Sequence, residues 1–213
     1  MKRIGCLHAH HSNINYIEHA LAPFKIELVH FVDPGLMYHL TPNSTDDIAV
    51  KVKEQLNWIS SCDIDATLIT CTNYIALLDE LSFASRVPII KIDEPFFEQV
   101  CRKSERQILL FTNPATITGT MNRLYTYAAK QKKSININAW LIENSFDLLM
   151  NGQSDAYNQL ILDYIGNDNN TDLISVAQLS MVEAVNLSGK DIGNPLNALV
   201  KHVVQQFDLE KQV

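Results

Sequence analysis

Short apolar runs alternate with amphipathic stretches along this chain, starting from its first residues. Lys2 to Leu7 reads as a buried first strand, and Ser12 to Phe24 as a helix that Ser12 or Asn13 can cap. Ile26 to Val32 predicts a second strand, closed by the turn signature Asp33-Pro34-Gly35. After a short apolar stretch, Leu36 to Leu40, the pair Asp46 and Asp47 opens a helix through Ile59, with Ile48, Val52, Leu56 and Ile59 on one face. Ala66 to Thr70 is short and mainly apolar, as a parallel strand buried on both faces is. Tyr74 to Phe83 reads as helix and Val87 to Ile92 as a fourth strand.

The alternation then begins again. Gln107 to Phe111 predicts a strand, Thr118 to Lys130 a helix and Ile135 to Leu141 a strand. Ser154 to Ile165 is helical, with Leu160, Ile161 and Tyr164 apolar, and Leu173 to Ala177 is another strand. Asn194-Pro195 is a cap followed by a first-turn proline. The helix after it carries Leu196, Leu199, Val200, Val203, Val204 and Phe207 at offsets of three and four. Strands alternating with helices imply parallel sheets covered by helices, an α/β chain. The second half echoes the first. Lys2 to Leu7 matches Arg106 to Phe111, and Thr67 to Cys71 matches Ile174 to Gln178, at nearly the same offset. Two quasi-equivalent lobes follow.

Composition narrows the partners. Lys plus Arg number 17 and Asp plus Glu 24, a net charge of −7, which argues against nucleic acid or an anionic membrane surface. The opening apolar run is broken at once by His8, His10 and His11, so no signal-peptide core is expected, and no stretch is long and apolar enough to span a bilayer. Cys6, Cys62, Cys71 and Cys101 lack paired spacing, which suits free thiols in the reducing cytoplasm.

In open parallel sheets ligands bind beyond the carboxyl ends of the strands. Those loops are polar here: His8 to Ser12, Asp33 to Gly35, Cys71 to Asn73, Asp93-Glu94, Thr112 to Thr116, and Gln178 to Ser180. Facing lobes bring all six to one cleft. Cys71 leaves a buried strand at a helix start, where backbone N–H groups and the helix dipole lower a thiol pKa. The same N–H groups, with Thr72 and Asn73, suit a carboxylate or an enediolate oxygen. A thiolate beside a bound carboxylate removes an α-proton or attacks the substrate; the competing reading is a buried structural cysteine.

The run Asp65 to Asn73 resembles the first cysteine motif of the aspartate/glutamate/hydantoin racemase superfamily, as do Val87 to Glu94 and Thr112 to Thr120 in their own places. Asp172 to Met181 sits where that family carries its second cysteine motif. The resemblance implies two similar Rossmann-like lobes with parallel sheets, related by a pseudo-twofold, with the active site in the cleft between them. Residues 1–100 and 196–213 form the first lobe and 101–195 the second, the last helix returning to the first. It also implies chemistry without pyridoxal phosphate, metal or other cofactor, a small carboxylate or amino-acid substrate, and a homodimer as the common assembly. Two cysteines act there as base and acid on opposite faces of the α-carbon. Cys71 matches the first; the second position is Gln178, and glutamine neither takes nor gives a proton near neutral pH. One-cysteine chemistry survives that departure. Family relatives include single-cysteine decarboxylases, whose cysteine lies in the second lobe, and isomerases of maleate type.

The expected function is therefore an isomerase-type enzyme acting at the α-carbon, with Cys71 as acid/base and Gln178 in the second catalytic position. The rivals are a single-cysteine lyase or hydrolase and a non-catalytic carboxylate-binding protein. Thr72, Asn73, Thr112, Asn113, Thr116 and Ser180 are candidates for substrate oxygens, although capping by Thr116 or Thr118 explains part of that loop equally well. His8 is a candidate to line the cleft. Asp93 and Glu94 are candidates to orient the Cys71 loop or accept a substrate ammonium, against the simpler role of helix N-terminal acids. His8, His10 and His11 on one loop lack the accompanying ligands of a zinc site, so no metal is expected. Cys6, Cys62 and Cys101 read as buried small hydrophobes.

Overall fold

The structure, a computed structural model, describes residues 1–35, 45–81, 83–166 and 172–212 of the chain. It divides into two compact units, Met1–Glu94 with Leu199–Val213, and Pro95–Ala198.

The first unit holds β1 (Lys2–His8), α1 (Ser12–Leu21), β2 (Ile26–Val32), α2 (Thr45–Ser60), β3 (Ala66–Ile69), α3 (Thr72–Glu80) and β4 (Ile89–Lys91). Its strands form one sheet in the order β2-β1-β3-β4, every pair parallel. Helices cover both faces. On one side Ile4, Cys6 and His8 of β1 lie fully buried, as do Ile17 and Leu21 of α1. On the other, Gly5 lets a helix approach: a Cβ there would lie 2.8 Å from Ile64 Cδ1 and 3.0 Å from Ile59 Cγ2. Neither Ser12 nor Asn13 caps α1; its N-cap is His11, without a side-chain bond. The Asn13 amide instead donates to Thr70 Oγ1 at 3.2 Å, and Ser12 Oγ pairs with the His10 ring at 2.8 Å. The stretch Leu36 to Leu40 and the side chains of Asp46 and Asp47 fall outside the described residues.

The second unit holds most of α4 (Glu94–Cys101), then β5 (Gln107–Phe111), a 3₁₀ turn (Pro114–Thr116), α5 (Ile117–Lys130), β6 (Ile137–Leu141), α6 (Ser145–Met150), α7 (Ser154–Gly166), β7 (Leu173–Val176), a second 3₁₀ turn (Leu179–Met181), α8 (Val182–Ser188) and the start of α9 (Pro195–Phe207). Its sheet runs β6-β5-β7, again all parallel. One core layer packs Phe96, Phe97 and Val100 of α4 with Leu109, Phe111 and Leu124; the other packs Leu110, Tyr157, Ile161, Val176 and Met181. Asn194 caps α9 as the sequence predicted, its Oδ1 accepting from Asn197 N at 2.8 Å.

The two units repeat one topology. In each the first strand is central, flanked by the second and third. The equivalence holds residue by residue at the strand ends. Thr70 N–H donates to Leu7 O at 3.1 Å, and Ala177 N–H to Leu110 O at 2.9 Å. Asp33 N–H donates to His8 O at 2.9 Å, and Ile142 N–H to Phe111 O at 2.8 Å. Cys71 therefore corresponds to Gln178, Thr70 to Ala177, His8 to Phe111 and Asp33 to Ile142.

Candidate functional site

In the first unit β3 ends at Ile69, and Cys71 is the N-cap residue of α3, with φ −102° and ψ 120°. Thr72 and Asn73 form the first helical turn. The half-buried Cys71 sulfur accepts from the backbone N–H groups of Asn73 and Tyr74. Those contacts pull its pKa down, as the sequence led one to expect, but burial acts more strongly and the thiol ends above its ordinary value. The correction is physical: burial outweighs the two backbone N–H contacts, and the helix start alone does not suffice.

The neighbours of Cys71 are polar. Thr70 Oγ1 lies 2.8 Å from His8 Nδ1; His8 Nε2 lies 2.8 Å from His30 Nδ1; His30 Nε2 lies 2.8 Å from Glu18 Oε1. His8 is fully buried, and burial first, then His30, pushes its pKa down to about 4, so the ring is neutral. Its two nitrogens are engaged by Thr70 and His30 inside the unit. Tyr74 OH lies 2.9 Å from Asp33 Oδ2 and 2.7 Å from Gln55 Oε1, while Asp33 Oδ1 accepts from Gly35 N at 2.8 Å. Asp33 thus makes its turn and also holds Tyr74. Asp93 is buried beyond β4, and desolvation, then Glu94, raises its carboxyl to about 7. Glu94 is half-buried and pairs with Lys91 at 3.2 Å.

In the second unit Gln178 is the residue before the 3₁₀ turn, at φ −125° and ψ 145°, the extended geometry of Cys71. Its side chain crosses to the loop after β5. Gln178 Oε1 accepts from Thr112 N at 2.8 Å, Thr112 Oγ1 at 2.7 Å and Asn113 N at 3.2 Å, and Nε2 donates to Thr116 Oγ1 at 3.2 Å. Tyr157 OH joins Thr112 Oγ1 at 3.0 Å to Ser180 Oγ at 2.8 Å. Thr112, Asn113, Thr116, Gln178 and Ser180 are thereby one cluster. Asn113, not Thr116 or Thr118, caps the loop, its Oδ1 accepting from Ala115 N at 3.0 Å. Thr112 also lines a hollow of about 320 Å³ bordered by Asn144, Phe146 and the acids Glu143 and Asp147.

Sequence reasoning missed Thr70, His30, Glu18, Tyr74 and Tyr157. Thr70 and Tyr74 flank Cys71 and were open to notice; the others are brought in by strand pairing and helix packing, for which the sequence carries no local mark. Cys6 and Cys101 are buried as expected, whereas Cys62 is half-buried and its thiol lies 3.3 Å from Trp58 O.

No family model and no curated protein sequence matches this chain. Solved structures do. An aspartate racemase of Picrophilus torridus superposes over 100% of this chain and 96% of its own, with a TM-score of 0.74 at 12% identity. A glutamate racemase of Campylobacter jejuni subsp. jejuni covers 99% and 88%, with a TM-score of 0.67 at 16% identity. An allantoin racemase of Klebsiella pneumoniae covers 100% and 91%, with a TM-score of 0.63 at 15% identity. The chain shares the fold of these solved racemase structures.

Proposed function

We propose that this chain, built on the racemase-superfamily fold, is a cofactor-independent enzyme acting at the α-carbon of a small carboxylic or amino acid, with Cys71 as its single acid/base. The observation that carries the reading is the contrast between two equivalent strand ends. One presents a thiol with an exchangeable proton. The other presents an amide whose oxygen is engaged by three donors and which has no proton to trade near neutral pH.

Burial keeps the resting thiol protonated, so Cys71 starts as a proton donor. Removing an α-proton requires the thiolate, which the N–H groups of Asn73 and Tyr74 stabilise once it forms. In this reading Thr72 and Asn73 hold a substrate oxygen beside the sulfur. Thr112, Asn113 and Thr116 fix the Gln178 amide. Proton transfer from one side only predicts exchange with retained configuration.

The test is proton NMR of a panel of small amino and carboxylic acids incubated with the protein in D₂O. Deuterium at the α-carbon with configuration retained, abolished by Cys71→Ala, supports the proposal. Exchange that persists in Cys71→Ala overturns it. Net racemisation overturns the one-sided mechanism, release of carbon dioxide makes the chain a lyase, and binding without exchange across the panel makes it a carboxylate-binding protein.

A further inference from the structure

A second cluster of reactive side chains lies on the face of the first sheet that α1 covers. Cys6 and His8 are two residues apart on β1 and so point to the same face. The β1–β2 register sets His30 directly opposite Cys6. One ligand atom from each of Cys6, His8 and His30 lies within 4.8 Å of the other two. Tetrahedral zinc with Zn–S of about 2.3 Å and Zn–N of about 2.0–2.1 Å sets its ligand atoms roughly 3.3–3.8 Å apart. The sulfur has to approach by about an ångström, and the two inner nitrogens, 2.8 Å apart, have to open by about half that.

The outer nitrogens of both histidines are already oriented. His30 Nε2 meets the Glu18 carboxylate at 2.8 Å, and His8 Nδ1 meets Thr70 Oγ1 at 2.8 Å. Metal-ligating histidines are held in this way, the far ring nitrogen fixed by a carboxylate or another polar group. The inner nitrogens, His8 Nε2 and His30 Nδ1, face each other at 2.8 Å and share one proton. Glu18 Oε1 accepts from His30 Nε2–H, so the shared proton belongs to His8 Nε2. An incoming cation needs both inner lone pairs. The His8 proton then moves to Nδ1 and is donated to Thr70 Oγ1, whose own proton turns to Leu7 O, 3.3 Å away. The Cys6 thiol loses its proton to solvent. Charge and protons balance without a co-reactant. His8 and Cys6 are fully buried, whereas His30 is half-buried and Glu18 borders solvent, which gives the ion a way in.

We propose that Cys6, His8 and His30 bind one divalent ion of the zinc class through a thiolate and two imidazoles, with Glu18 and Thr70 orienting the rings. The donor set selects it: mixed sulfur and imidazole ligands suit zinc over magnesium or calcium. The site does not depend on the Cys71 reading, because none of its ligands belongs to that turn.

The test is titration of the full, metal-stripped chain with cobalt(II), followed by displacement with zinc. The expected result is one equivalent bound, with a thiolate-to-cobalt charge-transfer band that zinc removes. The band is lost in Cys6→Ala and kept in Cys62→Ala, Cys71→Ala and the double variant His10→Ala/His11→Ala. Glu18→Gln weakens binding about 10- to 100-fold. A missing band at one equivalent, or a band that survives Cys6→Ala or follows another cysteine, overturns the proposal. Should Cys6→Ala not fold, the solvent-side variants decide: unchanged affinity in both Glu18→Gln and His30→Gln overturns it, and loss in His30→Gln supports it.

Discussion

The turns after β3 and β7 occupy equivalent places, share an extended backbone at Cys71 and Gln178, and differ in almost every side chain around them. The first unit sets His8, Asp33, Thr70 and Tyr74 where the second has Phe111, Ile142, Ala177 and Met181. The polar set forms hydrogen bonds around the thiol turn; its counterparts in the second unit are apolar. The second unit places its polarity one residue further on, at Thr112, where the first has Ala9. Thr112 gives Gln178 Oε1 two donors, whereas Ala9 has no side-chain donor to give. One scaffold has thus been decorated in two ways: a turn whose side chain keeps its proton available, and a turn whose side chain ties two loops together.

Removing the thiol breaks the contrast most sharply. Cys71→Ala lowers α-proton exchange by about 10²–10⁴-fold, the usual contribution of a positioned acid/base, read by deuterium incorporation. The pH dependence sharpens it further. The Cys71 pKa is raised, so the thiolate fraction, and with it both exchange and alkylation by iodoacetamide, climbs through pH 7–9 and reaches half-maximum only above the ordinary thiol value. A half-maximum below neutrality would contradict burial as the dominant influence.

The next effect concerns β4, a three-residue strand whose place beside β7 in the second unit is taken, among the described residues, by a single parallel bridge between Ser175 and Gly193. Asp93 at its end has a folded pKa of about 7 against an ordinary 3.8. The folded chain keeps a proton there that the unfolded chain releases. Stability from this group is fully present below about pH 4 and falls as pH rises towards 7, with a slope of up to about 1.4 kcal/mol per pH unit. Asp93→Asn flattens that slope, measured as urea midpoints across the range; an unchanged slope means another group titrates.

Gln178→Ala then tests the tied turn. It strips an acceptor from Thr112 N and Asn113 N, at a cost of roughly 1–3 kcal/mol. Amide hydrogen exchange at those two positions accelerates. Gln178→Glu recovers most of the loss above about pH 5, since a carboxylate oxygen takes the same three donors. If Gln178→Ala costs nothing and leaves exchange unchanged, the amide does not hold the loop.

The strands were legible, though not their order in the sheets, because a parallel strand covered on both faces reads as a nearly continuous apolar run, as in Gln107–Phe111 and Ala66–Ile69. The short helices were not. α4, α6 and α8 have eight, six and seven residues, too few for a helical period to show, and in α4 the buried Phe96 and Phe97 are adjacent. Cys71 stood out because a strand end announces itself locally. What Gln178 touches, and what His30 stands beside, depends on side-chain reach between strand ends and on the β1–β2 register, which no local pattern records.

The smallest effect returns to the equivalent pair Asp33 with Tyr74 and Ile142 with Met181. Tyr74 is 1% exposed, and its hydroxyl is held by Asp33 and Gln55. Tyr74→Phe removes those bonds and costs about 1 kcal/mol in urea denaturation. Asp33→Ile alone costs more, because it leaves the Tyr74 hydroxyl with one acceptor fewer beside new apolar surface and also strips the acceptor from Gly35 N. Copying the second unit in both places, Asp33→Ile with Tyr74→Met, removes donor and acceptor together, and the second unit shows that an apolar pair suits these backbone positions. The double variant therefore comes out less destabilised than the sum of the singles. Strict additivity would mean that the two positions are not coupled, and that the polar decoration of the thiol turn is a set of independent contacts rather than one hydrogen-bonded unit.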